Sequence, residues 1–208
     1  MGYSGIVDVA LVFAVDVSSS VDSSDFTLQM KGIADALRKP DIADAIASGP
    51  HGHVAVALVQ WSTSQKQALV VPWRTLGDAD EIAAAAREIE QCGRAWMPGG
   101  TGMAAGLHFS IEVISALPFS AERRVIDVSG DGAENEGGNV AQARGQALAR
   151  GIVINGLPIV DGSQVIADYY LRAVIAGPGA FIEPALNVFD FNEAMHRKLL
   201  RELLPQVT

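Results

Sequence analysis

Val7-Asp8-Val9-Ala10-Leu11-Val12-Phe13-Ala14-Val15 runs directly into Asp16-Val17-Ser18-Ser19-Ser20. The first nine residues are almost continuously apolar and rich in β-branched side chains, the pattern of a central strand buried on both faces. The polar run that follows ends it. Downstream, Phe26, Met30, Ile33 and Leu37 recur at four, three and four residues, which predicts a helix packed by one face on a sheet and stopped at Pro40. After the Gly49–Gly52 turn, Val54 to Val59 reads as a second strand. Gln67 to Trp73 reads as a third, and the short linker between them favours an antiparallel pair.

Asp80 to Ile89 is an Ala-rich helix, followed by a loop from Cys92 to Gly100 in which Pro98-Gly99-Gly100 prevents regular structure. Met103, Leu107, Ile111 and Ile114 mark another helix, ended by Pro118, and Arg124 to Ser129 is a strand leading into Gly130-Asp131-Gly132. A helix at 139–150 and a parallel strand from Ile152 follow, its end bending at Gly156. A helix near 164–175, a turn at Gly177-Pro178-Gly179, a short edge strand at 180–182 and a helix from Phe191 to Leu204 complete the chain. Alternating strands and helices imply a doubly wound α/β fold: a mostly parallel six-stranded sheet with one antiparallel strand and helices on both faces. One domain is expected over residues 1–208, with its core at about 7–204.

The chain has 208 residues, of which 49% are hydrophobic and 19% charged, a balance suited to a packed core. With 24 acidic against 15 basic residues, its net charge of −9 repels nucleic acid and anionic lipid. Cys92 stands alone, so no internal disulfide or thiolate metal cluster is available. No apolar run is long enough for a membrane span, and Met1 to Gly5 carries no signal-peptide pattern.

In open α/β sheets ligands bind beyond the carboxyl ends of the strands, where the winding direction reverses. Three polar clusters fall there. Asp16, Ser18 and Ser20 alternate in one loop, Thr101 follows two glycines at a loop-to-helix junction, and Asp131 lies between Gly130 and Gly132. Taken singly, each has an ordinary structural reading, as a helix cap or a turn. Together they offer two carboxylates and three hydroxyls, a hard oxygen set suited to Mg²⁺, with Ca²⁺ or Mn²⁺ as alternatives. Mg²⁺ is favoured because it keeps waters and needs few protein ligands.

Asp16-Val17-Ser18-Ser19-Ser20, Gly100-Thr101 and Ser129-Gly130-Asp131-Gly132 resemble the metal-ion-dependent adhesion site of von Willebrand factor type A domains, across nearly the whole chain. Residues 125–132, 154–159 and 177–181 are similar to an uncharacterised bacterial family of that fold. The resemblance implies that Ser18, Ser20 and Thr101 ligate the metal and that Asp16 and Asp131 act directly or through water. It also implies an Asp or Glu of a protein partner completing the coordination, hence adhesion or assembly rather than turnover. A periplasmic or secreted location is implied in the same way.

Two rival readings share the fold. A Mg²⁺-dependent phosphohydrolase would place an acid/base Asp two residues after a nucleophilic Asp, and here that position is Ser18. A degenerate domain would bind its partner without metal. Gly100-Thr101-Gly102 lacks the preceding strand of a dinucleotide loop. His51 and His53 read as solvent-facing turn residues, Trp61 and Trp73 as core or edge aromatics, 134–136 as an exposed loop, with contact of Glu134 to metal-bound water as the lesser alternative, and Cys92 as a loop or core thiol without a sign of reactivity. His108 and His196, on helices, are poorly placed for a catalytic triad.

Overall fold

A computed structural model describes residues 5–204. The apolar run quoted above forms β1 (Ile6–Asp16), in which every residue from Val7 onward is buried. It pairs in parallel with β2 (Val54–Trp61) on one side and β4 (Ser120–Gly130) on the other. An antiparallel β3 (Gln67–Leu76) and a parallel β5 (Ile152–Pro158) complete the order β3-β2-β1-β4-β5.

Side chains alternate between the two faces. Val9, Leu11 and Phe13 pack against α1 (Ser23–Leu37), α3 (Ala79–Gln91) and α7 (Phe191–Leu203), while Val12 and Ala14 pack against α4 (Met103–Ser115) and α5 (Val140–Ala149). Truncating a side chain such as Phe13, 1% exposed, to Ala would cost about 3–5 kcal/mol through lost transfer energy and the cavity left behind.

Pro40 ends α1, as expected, but it also opens α2 (Pro40–Ala47), a helix that the periodicity did not reveal. Proline suits the first helical position, where its missing N–H would have no intrahelical partner. The sheet has five strands, not six. Residues 176–185 run beside β5 and exchange hydrogen bonds with it at Ile154, Gly156 and Pro158, but only as isolated bridges. Positive φ at Gly177 and Gly179 and the missing N–H groups of Pro178 and Pro184 break the ladder before it becomes a strand. Nor does β5 bend at Gly156. It continues in register to Pro158, and the missing side chain at Gly156 admits the ring of Tyr170, whose Cδ1 lies 2.6 Å from where a Cβ would stand.

The segment 164–175 is helical, first as α6 (Gln164–Tyr169) and then as a wider π-type turn over Tyr170–Val174. On the α7 face, one charged cluster interrupts the apolar layer. Lys198 Nζ lies 2.8 Å from Asp127 Oδ1 and also bonds Glu202, with all three side chains essentially inaccessible. Burial pushes the Asp127 carboxyl up to about 7, against the attraction of Lys198 and with the repulsion of Glu202. Burial alone would lower Lys198, but the two carboxylates more than offset it and its pKa is raised. One lysine thus sits between two carboxyl groups, so its buried charge is compensated on both sides.

Candidate metal centre

Asp16 is the last residue of β1, and its side chain turns toward the α4 face, where it is fully buried. Its Oδ1 accepts a 2.7 Å hydrogen bond from the Ser18 amide, which pins the loop, whereas Oδ2 is buried with no partner. Burial pushes this carboxyl up to about 7. The Ser18 hydrogen bonds oppose that rise and the negative charge of Asp131 adds to it. A carboxylate oxygen held out of water without a partner is costly, and a cation would remove the cost.

Ser18 is buried and Ser20 exposed, and their hydroxyl oxygens lie 3.3 Å apart. Ser20 Oγ donates to Asp131 Oδ1 at 2.6 Å, so the first and third sequence clusters meet directly. Thr101, 5% exposed, joins them through Gly132, where a Cβ would stand 3.3 Å from Thr101 Oγ1. All five expected residues therefore gather at the carboxyl ends of β1 and β4. The capping reading of Thr101 does not hold, since Gly102 occupies the N-cap of α4 and supplies no side chain.

Three neighbours hold these loops and a fourth points toward Asp16. Arg94 Nη2 donates to the carbonyls of Val17, Ser18 and Val21 at 2.7–2.9 Å, clamping the Asp16–Ser20 loop from behind, and its guanidinium lies over the Phe26 ring. Glu134 Oε2 accepts from the Ala104 amide at 2.7 Å and so caps α4 from another segment, while Oε1 accepts from the Glu136 and Gly138 amides. Asn135 brackets Thr101, accepting from its amide at 2.8 Å and donating to its carbonyl at 3.0 Å. Tyr170 carries a buried, unpartnered hydroxyl toward Asp16. Because these groups act mostly on backbone atoms distant in sequence, no local motif announces them. Residues 134–136 form a loop, exposed at Asn135 and Glu136 as expected, and they also brace the site.

Among the described residues no three His, Cys, Asp or Glu side chains gather as a metal-ligating group. Any cation at this centre would therefore depend on hydroxyl and water oxygens besides Asp16 and Asp131, a donor set that fits Mg²⁺ and similarly hard ions. Gly130 is required by the same geometry, because a Cβ there would stand 2.8 Å from Asp16 Cβ and 2.9 Å from Oδ2. The remaining candidates lie elsewhere. His51 and His53 are half-buried in the loop before β2, where the His51 amide bonds Asp8, rather than fully solvent-facing. Cys92 Sγ contacts Met30, and burial pushes its thiol up to about 11, an unreactive state. Among the described residues no helix is long and apolar enough to cross a membrane.

Comparison with known proteins agrees with this geometry at the level of the fold. The sequence matches a family model described as "Protein of unknown function (DUF1194)" over residues 6–207. No curated protein is a significant sequence match. Among solved structures, a von Willebrand factor type A protein from Catenulispora acidiphila superposes with a TM-score of 0.63 at 16% identity, covering 95% of this chain and 43% of that one. Proximal thread matrix protein 1 from the mussel byssus, with a zinc-occupied MIDAS motif, gives 0.65 at 17% identity over 96% of this chain and 46% of its own. The pilus adhesin SpaC from Lactobacillus rhamnosus GG gives 0.65 at 16% identity, over 95% and 30%. The chain spans less than half the length of each of these three structures, and such identities establish the von Willebrand factor type A fold.

Proposed function

The chain belongs to the DUF1194 family and has the von Willebrand factor type A fold, and from that premise we propose that it is a cation-dependent protein-binding module rather than an enzyme. Asp16, Ser18, Ser20, Thr101 and Asp131 would hold one divalent cation, Mg²⁺ above Ca²⁺ or Mn²⁺, and an Asp or Glu of a protein partner would complete the coordination. The observation that carries this reading is Asp16, a fully buried carboxyl whose Oδ2 has no hydrogen-bond partner, on the same loop as the Ser18 and Ser20 hydroxyls that link it to Asp131.

When bound, the cation supplies a Lewis-acidic position that accepts a partner's carboxylate. The residues of the chain do the rest. Asp16 and Asp131 provide the negative charge, and the hydroxyls of Ser18, Ser20 and Thr101 provide neutral oxygens that leave the ion electrophilic. Arg94, Asn135 and Glu134 keep the three loops in place before any ligand arrives, which lowers the ordering cost of binding. A phosphohydrolase would need an acid/base group where Ser18 stands. The nearby cation Arg94 is committed to three carbonyls rather than to a phosphate.

The surroundings narrow the partner. Partial burial and then the charges of Asp22, Asp131 and Asp161 push the Asp25 carboxyl up, so several carboxylates share this rim. A partner offering a carboxylate here needs basic residues flanking it, and the net charge of −9 argues against nucleic acid. The adhesin and byssal-thread neighbours support an extracellular or periplasmic role in adhesion or assembly. Calorimetric titration of Mg²⁺ into the protein and into Asp16→Ala tests the reading: saturable binding is expected for the first alone. Equal binding by both, or by neither, would overturn it.

A further inference from the structure

Tyr170 is one of the largest fully buried side chains, it opens a π-type turn, and its hydroxyl has no hydrogen-bond partner. A buried phenol without a partner costs roughly 1–3 kcal/mol, so its persistence calls for a physical reason. Wider helical turns of this kind are concentrated at functional sites, because the extra residue redirects a side chain.

Two glycines show where the ring is directed. At Gly156 of β5 a Cβ would stand 2.6 Å from Tyr170 Cδ1, and at Gly130 of β4 a Cβ would stand 3.0 Å from the Tyr170 hydroxyl. The ring thus lies along the α4 face of the sheet, over β5 and β4, and ends beside Asp16 at the tip of β1. The same absent Gly130 Cβ is 2.9 Å from Asp16 Oδ2, so the two unpartnered oxygens flank one point. The two oxygens are therefore at most about 6 Å apart, a gap that one bridging water can span. A phenol is protonated at neutral pH, so the hydroxyl is a hydrogen-bond donor beside Asp16.

We propose that Tyr170 is a positioning residue for the cation centre: its hydroxyl donates, directly or through one water, to Asp16 Oδ2 and fixes the orientation in which the ionised carboxylate faces the metal. The inference rests on the assignment of Asp16 to a cation site. Outer groups that orient a metal ligand typically change affinity 10–100-fold when removed. They also leave a mark on the ligand's own hydrogen bonding.

The test is calorimetric titration of Mg²⁺ into the wild type, Tyr170→Phe and Gly130→Ala, with urea unfolding of each in chelator. Tyr170→Phe should weaken Mg²⁺ binding about tenfold while its unfolding midpoint in chelator stays at or above that of the wild type. Gly130→Ala, which keeps both oxygens but inserts a methyl between them, should weaken binding as well. A third measurement reads the phenol itself. In a Tyr169→Phe background, Mg²⁺ should produce a tyrosine ultraviolet difference band that is lost on adding Tyr170→Phe. If the wild type binds Mg²⁺ and Tyr170→Phe binds it equally, or if the band is absent, the role of Tyr170 is refuted while the cation site stands. No binding by the wild type would refute the site itself.

Discussion

Asp16→Asn in the absence of metal is the sharpest probe of the centre, because it replaces a buried carboxyl by a neutral group of nearly the same shape. The carboxyl is lifted from its ordinary 3.8 to about 7 in the folded chain. Between those values the folded state binds more protons than the unfolded state, so this group's contribution is complete below 3.8 and is lost as pH rises through 7. With one pKa unit equal to about 1.4 kcal/mol, the carboxylate costs the fold about 2 kcal/mol near pH 5 and about 4 kcal/mol near pH 8. Asn does not titrate. Urea unfolding in chelator should therefore show Asp16→Asn more stable than the wild type, with the gap widening by roughly 2–3 kcal/mol from about pH 5 to about pH 8. Asp127 also titrates near 7, but it is present in both proteins and cancels in the difference. Saturating Mg²⁺ at the higher pH should reverse the order, stabilising only the wild type. A pH-independent gap, or equal stabilisation of both proteins by Mg²⁺, would refute the reading of Asp16 as a buried carboxylate that a cation stabilises.

The other expectations concern the groups around it. Ser20→Ala removes an exposed hydroxyl that bonds Asp131, so it should change stability by under about 0.5 kcal/mol but weaken Mg²⁺ binding about tenfold by calorimetry. Glu134→Ala leaves the Ala104, Glu136 and Gly138 amides without their acceptor and should cost about 1–2 kcal/mol in urea unfolding. Lys198→Met strands Asp127 and Glu202 in the interior and should cost about 3–5 kcal/mol at neutral pH, while adding Asp127→Asn and Glu202→Gln should restore much of the loss; thermal melts of both variants measure this.

Much of the fold was legible in sequence because strands and amphipathic helices leave local periodicity. The apolar run at 7–15 and the spacing of Phe26, Met30, Ile33 and Leu37 depend on burial alone, and tertiary structure did not override either. Reading failed where one residue serves two purposes. Pro40 is a stop and also a start, and Gly156, a residue type that suggests a bend, makes room for a ring. The sixth strand was lost because hydrogen bonds do form beside β5, but glycines and prolines deny them continuity. At the centre, Asp16, Ser18, Ser20, Thr101 and Asp131 were visible because side chains with oxygen donors cluster at strand ends. Glu134 is legible only as a residue near the site, and Arg94, Asn135 and Tyr170 are not, because what they touch is backbone or distant in sequence and only the folded chain brings it close.

That interrupted edge beside β5 has a counterpart at the opposite margin of the sheet. There β3 carries Pro72, and its pairing with β2 shifts register between Val56 and Val59. An exposed, regular edge would offer a template on which another chain's strand could add. Here one margin is kinked and partly deprived of donors, and the other is sealed by a segment too irregular to be extended. Neighbouring molecules are thus discouraged from zipping onto the sheet sideways, whether as an assembly mode or as the first step of aggregation. Strand addition at the sheet margins is therefore an unfavourable route for contact between copies of this chain.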